Sequence, residues 1–234
     1  MRLFSPRFKP KHPTFSRQLA QVASDLKLDL ALDVGANEGQ FARELFWAGF
    51  GGRIVSFEPQ PEVHALLLAA ARGEGRWRVA PPLALGAAAG TLKLAVFNRS
   101  DMSSFLPATD LAGRAIPELA QTASIDVPVV RLDDVFDDYV KPGERVLLKL
   151  DTQGFEREIL DGAKAVLPKI AAVLLELSAS PLYAGQPRYL ELLNMLEARG
   201  FRLWHISPGY FCKRTHRLLD FDALLVSERL AAIP

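Results

Sequence analysis

The residues with the most chemical potential stand at the ends of four short apolar runs. Leu30-Ala31-Leu32-Asp33-Val34 leads into Gly35-Ala36-Asn37-Glu38-Gly39-Gln40-Phe41, and Arg53-Ile54-Val55-Ser56-Phe57 ends at Glu58. Val146-Leu147-Leu148-Lys149-Leu150 ends at Asp151, and Ala172-Val173-Leu174-Leu175 ends at Glu176. In open α/β sheets ligands lie beyond the carboxyl ends of the strands. Carboxylates are costly to gather in one place and contribute nothing to a core, so Asp33, Glu58, Asp151 and Glu176 together read as a site. Any one of them alone would read as a cap for the helix that follows.

A strand that runs into a glycine turn and then a helix leaves backbone N–H groups free, and the glycine admits a ligand close to the main chain. Glu58 stands where a carboxylate in a βαβ unit accepts both hydroxyls of a ribose. Gly35 and Glu58 therefore indicate a nucleoside site. A dinucleotide fingerprint requires G-x-G-x-x-G, but here the second and third positions are Asn37 and Gln40. Asp33, just before the turn, would repel a pyrophosphate and suits the cationic amino-acid head of S-adenosylmethionine. The same residues disfavour a nicotinamide-dependent oxidoreductase.

Strand-like and helix-like runs alternate along most of the chain, which predicts a mainly parallel sheet covered by helices. Helices are expected from near Glu38 to Gly49, after Pro61, from Gly154 to Leu167 and from Arg188 to Arg199, where Gly200 is a stop signal. A third strand is expected within Trp77 to Leu85. Thr91–Phe97 and Ile125–Val130 look like strands without a crossover helix between them, so they are expected to pair outside the main alternation, around a long segment from Asn98 to Ser124. Phe201–Trp204, Tyr210–Lys213 and Ala223–Val226 could close the sheet as an antiparallel hairpin.

A chain of 234 residues, 49% hydrophobic, suits one α/β domain. The division expected is a basic segment over residues 1–27 and a single domain over 28–234 carrying an insert at about 91–130. The formal net charge of +1 lacks the basic footprint of a nucleic-acid binder, and no DNA partner is expected. Arg2, Arg7, Lys9, Lys11 and Arg17, however, all precede the first acid, Asp25. They are read as a solvated tail, with a docking arm for an anionic partner as the alternative. Cys212 is the single cysteine, which fits a reducing, cytoplasmic compartment. No apolar run approaches the roughly 18 to 20 residues of a membrane span.

The chain resembles the FkbM family of S-adenosylmethionine-dependent methyltransferases. Asp33-Val34-Gly35-Ala36-Asn37-Glu38-Gly39-Gln40-Phe41 is similar to the family's D-V-G-A-N-x-G-x-F. Lys149-Leu150-Asp151-Thr152-Gln153-Gly154-Phe155-Glu156 is similar to K-I-D-x-E-G-x-E, and Leu160-Asp161-Gly162-Ala163 to a later L-x-G-A. Ser103-Ser104 and Arg131-Leu132-Asp133-Asp134 are weaker matches to a serine pair and a T-L-D-D element. The resemblance implies a class I methyltransferase Rossmann-like fold, with S-adenosylmethionine held by Asp33, Gly35, Ala36, Asn37, Gly39, Phe41, Glu58 and Asp151. Two positions depart from the family: Gln153 replaces an acid, and Ser178 stands where a histidine or similar residue is expected.

The activity so implied is O-methylation of a small-molecule hydroxyl, in a sugar or secondary metabolite. Alternatives are a protein or RNA acceptor, or a module that binds the cofactor without turnover. Such transfer needs in-line alignment and removal of the hydroxyl proton. Asp151 is the first choice for that role, followed by Glu176, Glu156 and His205. Strand alternation is taken to carry Lys149 to the opposite face, so it is not counted. Asp151, Glu156 and Glu176 could ligate a hard cation, but their spacing is not diagnostic and no metal site is expected.

Overall fold

The computed structural model describes residues 13–230. Helix α1 spans Pro13–Asp25, and the chain then alternates through β1 (Leu30–Val34), α2 (Gln40–Trp47), β2 (Arg53–Phe57), α3 (Pro61–Ala71) and β3 (Trp77–Val79). Next come β4 (Ala84–Leu85), β5 (Gly90–Phe97), α4 (Asp110–Ala115), β6 (Gln121–Val130) and α5 (Leu132–Tyr139). The last part carries β7 (Val146–Leu150), α6 (Glu156–Asp161), β8 (Ile170–Ser178), α7 (Tyr189–Glu197), β9 (Phe201–Pro208) and β10 (Asp220–Ser227).

The main sheet has seven strands in the order β3-β2-β1-β7-β8-β10-β9. The pairs among its first five strands are parallel, and β10 is antiparallel to both β8 and β9. β1, β7 and β8 are largely apolar and buried on both faces because helices cover both, as a parallel sheet requires. Leu30, Leu32 and Val34 pack with residues of α5, α6 and α7, and Ala31 packs with α1, α2 and α3 on the other face. Strand order reverses between β1 and β7, so the loops after these two strands flank the crevice in which a ligand is expected.

The remaining strands form a three-stranded sheet, β4-β6-β5, in which β5 and β6 are antiparallel. The expected pairing outside the main alternation is therefore present. The segment between them is folded rather than a bare loop: it holds a 3-10 turn, Ser100–Met102, and α4, and packs Met102, Ala112 and Ile116 against Leu182 and Tyr183.

Several expected boundaries move, each for a local reason. The single strand expected from Trp77 to Leu85 is split at Pro81-Pro82, and β4 joins the second sheet. α2 begins at Gln40 rather than near Glu38, because Asn37 and Gly39 are both left-handed, with φ 49° and 85°. α6 stops at Asp161, and Tyr210–Lys213 contributes a single bridge, Phe211 to Leu218, instead of a strand. Glu176 lies within β8 rather than at its end. Residues 13–25, assigned above to a solvated segment, form α1, whose Leu19, Ala20 and Ala23 are buried. Arg17 of that helix lies over the Trp47 ring, whereas Arg2, Arg7, Lys9, Lys11 and His12 are outside the described residues.

Gly162, in the L-x-G-A element, seats the end of α6 closely against the second sheet. A Cβ there would lie 1.9 Å from the Gly86 carbonyl oxygen, in the turn that follows β4. Gly162→Ala must push these backbones apart, and overpacking of this kind costs about 1–3 kcal/mol. For a chain of this size each kcal/mol lowers Tm by roughly 2–4 °C. Calorimetry checks this; an unchanged Tm would show that the contact relaxes freely.

Candidate active site

Two adjoining cavities open at the carboxyl ends of β1, β2 and β7. The smaller has Gly35, Asn37 and Glu58 at one side and an apolar slot of Leu83, Leu85, Phe105, Phe155 and Ile159 at the other. The larger, about 330 Å³, extends over Phe41 and Lys149 toward α1, Glu176 and Tyr210. Gly35, Asn37, Asp101, Asp151 and Gln153 line both, and so mark where the two meet.

The turn after β1 is shaped by close contact. Gly35 has φ 73°, and a Cβ on it would lie 1.8 Å from the Asp151 carbonyl oxygen, so only glycine lets this turn rest on the loop after β7. Contrary to the sequence reading, the N–H groups of this turn are engaged. Those of Gly35 and Ala36 donate to Phe57 O, that of Asn37 to Glu58, that of Glu38 to the Asn37 side chain, and that of Gly39 to Ala36 O. Such a turn has no row of N–H groups to offer a pyrophosphate, in keeping with a cofactor that lacks one.

Glu58 is buried, its Oε2 accepting from Asn37 N at 3.0 Å and its Oε1 from Gln60 N at 2.9 Å. Burial pushes its carboxyl up to about 7, against these two hydrogen bonds and the Lys149 charge, all of which lower it. Each oxygen keeps a further lone pair for a ribose hydroxyl. With the apolar slot beside it, the cavity suits an adenosine: a flat base between Leu85 and Phe155 and a diol at Glu58.

The cofactor residues expected from the sequence divide three ways. Gly35, Asn37, Glu58 and Asp151 line the smaller cavity, and Ala36 and Phe41 line the larger. Asp33 and Gly39 are not among the lining residues. Asp33 is fully buried, accepts from Ser56 Oγ at 2.9 Å and has Lys149 Nζ 3.2 Å from its Oδ1, so its charge is met inside the protein and not by an amino-acid head. Gly39 is a packing residue, since a Cβ there would lie 2.5 Å from the Trp77 ring.

Lys149 corrects the alternation argument, because residues two apart on a strand share a face and Lys149 stands two before Asp151. Its ammonium lies 3.4 Å from Asp151 Oδ2 and donates to Gly35 O at 3.1 Å. Burial alone would lower the Lys149 pKa; the Asp151 and Asp33 carboxylates outweigh it and hold the ammonium above the usual lysine range.

Gln153, the departure from the family acid, is left-handed at φ 54° and acts as a bridge. Its Nε2 donates to Asp151 Oδ1 at 3.2 Å and to Glu176 Oε2 at 2.8 Å, while its Oε1 lies 3.2 Å from the Tyr183 hydroxyl. An acid at this position would add a third carboxylate to the pair. Glu176 keeps a partly exposed face, yet its carboxyl is enclosed; burial, then the charges of Asp151, Asp220 and Asp222, push it well above the usual carboxylate range.

The other expected acid and the expected histidine point elsewhere. Glu156 is buried and clamps its own loop, its Oε1 accepting from Thr152 N, Thr152 Oγ1 and Gly154 N. His205 lies on β9, stacked on Phe15 with ring centroids 5.7 Å apart, and is not among the residues lining the larger cavity. Sequence reasoning missed the contributions of Phe15 and Ser16 from α1, Arg99 and Asp101 from the segment after β5, and Asp220 and Asp222 from β10. The alternation Asp220-Phe221-Asp222 was the one available signal, since it places both acids on one strand face.

Residues 33–203 match a family model described as the methyltransferase FkbM domain. No curated protein matches the chain significantly. Among solved structures, cofactor-bound Rv0187 from MTB is 14% identical, with 95% of this chain and 83% of that one covered and a TM-score of 0.50. Precorrin-6y C5,15-methyltransferase from Geobacter metallireducens is 12% identical, covering 95% and 92%, with a TM-score of 0.47. Aeropyrum pernix fibrillarin with natively bound S-adenosyl-L-methionine is 12% identical, covering 85% and 66%, also at 0.47. At these identities the first likeness speaks for the fold alone, and the other two carry no further weight.

A raised Glu58 fixes the sign of a pH effect. In the unliganded protein its protonated form is favoured, so its contribution to stability is present below about 4.5 and is lost as pH rises through about 7. Ribose hydroxyls donate to the ionised form, so affinity for S-adenosylhomocysteine should rise with pH through the same range. Calorimetric titration should find binding roughly tenfold weaker at pH 6 than at pH 8, with a proton released on binding at pH 6. Equal affinities would remove Glu58 from the ribose contact.

Proposed function

The chain belongs to the FkbM methyltransferase family, and on that premise we propose that it methylates a hydroxyl of an uncharged, hydroxyl-rich small molecule such as a sugar or a secondary metabolite. S-adenosylmethionine, its methyl donor, supplies an electrophilic methyl group when bound. Gly35, Asn37, Glu58 and the slot from Leu83 to Leu85 would hold it. The chain's own groups must align the acceptor hydroxyl and take its proton.

The observation that carries this reading is the carboxylate pair Asp151 and Glu176 beside the junction of the two cavities, tied together by the Gln153 amide. We assign the two acids different tasks. Asp151 is held on both oxygens, by Gln153 and by Lys149, and suits a fixed acceptor that orients a hydroxyl. Glu176 is held through Oε2 alone among these contacts, and burial and the neighbouring carboxylates displace its pKa upward, which makes its ionised form the stronger proton acceptor. Asp151, the first choice from sequence, thus becomes the orienting group and Glu176 the base.

The lining of the larger cavity supports a neutral acceptor. Among the described residues, Asp101, Asp151 and Glu176 face it together with Arg99 and Lys149, and both cations are paired with carboxylates of the site. A nucleic-acid acceptor would need cations directed at its phosphates, so this wall suits a polyol better than an RNA.

Formation of S-adenosylhomocysteine in a screen of neutral sugars and hydroxylated metabolites, run beside RNA and protein acceptors, tests the class. Turnover is expected with a neutral hydroxyl compound; turnover with RNA alone would overturn the reading. On the true acceptor, Glu176→Gln should lower kcat by about 10²–10⁴ while S-adenosylhomocysteine affinity changes little. Full turnover in that variant would return the role of base to Asp151.

A further inference from the structure

Lys149 contacts or influences each of the four carboxylates Asp33, Glu58, Asp151 and Glu176. It is buried, and it pairs in register with Asp33 across the β1–β7 ladder. Its ammonium lies 3.2 Å from Asp33 Oδ1 and 3.4 Å from Asp151 Oδ2, donates to Gly35 O at 3.1 Å, and sits 5.5 Å from the centre of the Phe41 ring. We propose that Lys149 is a positioning residue, a single buried ammonium that serves as the shared countercharge of the site, fixing Asp151 by contact and Glu58 through its field. The inference rests on Glu58 being the ribose acceptor.

The contacts explain why one cation can do this. Asp33 anchors the ammonium below the turn, and the bond to Gly35 O holds that turn against the loop carrying Asp151. Glu176, on the far side, adds to the charge that keeps the ammonium protonated. Toward the ribose side, Glu58 faces the Asn37 and Gln60 N–H groups, Asp33 from β1 and Lys149 from β7. Asp101 and Asp151 line the same cavity. Lys149 favours ionised Glu58 and Asp33 disfavours it. The two partners of one buried pair therefore act on Glu58 in opposite directions.

The test is calorimetric titration of the full chain with S-adenosylhomocysteine from pH 5.5 to 9.5. In the unmodified protein affinity should rise through a midpoint near the Glu58 value, about 7. Lys149→Met should move the midpoint up by about half a pH unit or more, a smaller effect than the one to three units of a contact pair. Its affinity deficit is then largest in acid, shrinks through neutrality and closes in alkali. Asp33→Asn, which keeps the side-chain shape, should move the midpoint down. Equal loss of affinity at every pH, or a midpoint that does not move in either variant, would overturn the proposal. If Lys149→Met does not fold, the Asp33→Asn arm decides alone: a downward shift supports the proposal and an unchanged or raised midpoint overturns it. Unmodified protein that binds no S-adenosylhomocysteine at any pH would instead sink the ribose reading, and with it the field effect claimed for Lys149.

Discussion

A buried row of polar groups crosses the top of an otherwise apolar sheet, and the site depends on it. Trp77 Nε1 donates to Ser56 Oγ, Ser56 Oγ donates to Asp33, and Asp33 meets Lys149, which reaches Asp151. The row runs through β3, β2, β1 and β7, where Ser56, Asp33 and Lys149 are register partners. Burying two opposite charges gains little net stability, because desolvation offsets the attraction, but removing one partner costs about 3–5 kcal/mol. The pair therefore constrains the fold more than it stabilises it. Its value lies in position: it sits where two central strands give way to loops, and it ties those loops to one point.

What closes the site comes from outside the main sheet. The stretch after β5 crosses above the cavities and is tied to three loops. Ser100 and Asn37 share hydrogen bonds near 3.1 Å, Ser103 Oγ donates to Gln60 Oε1 at 3.3 Å, and Ser104 Oγ donates to Gln153 O at 2.7 Å. Tyr183, fully buried, donates to Met102 O at 2.7 Å and so secures the same stretch from the β8 side. The serine pair matched weakly to the family thus has a mechanical role, joining the insert to the loops that carry the chemistry. Asp101 and Arg99, carried by this stretch, become part of the cleft wall.

The Gln153 substitution is consistent with that crowded setting. Asp151, Asp220 and Asp222 already raise the cost of ionising Glu176. An amide can donate to both Asp151 and Glu176, whereas a carboxylate in its place could donate to neither unless protonated. The amide keeps two acids close without adding a third charge.

Much of this was legible in the chain itself. The apolar runs, the glycine turn and the carboxylates that follow the strands are local patterns, and local periodicity fixes which strands are buried on both faces. The core strands, the separate β5–β6 pairing, the antiparallel C-terminal strands and the placing of Gly35, Asn37 and Glu58 beside one cavity all follow from such patterns. The rest depended on what register and long-range packing bring together. Asp33 looked like a ligand contact, but cross-strand register sets it against Lys149, more than a hundred residues away. Glu156 and Glu176 look alike in sequence; one turns into its own loop and the other faces a cleft because backbone N–H groups capture the first and Gln153 the second. α1, the acids of β10 and the crossing segment after β5 reach the site through contacts between residues far apart in the chain. No residue type or spacing encodes those contacts, because they arise only when the sheet has closed and each side chain has found the group that satisfies its charge.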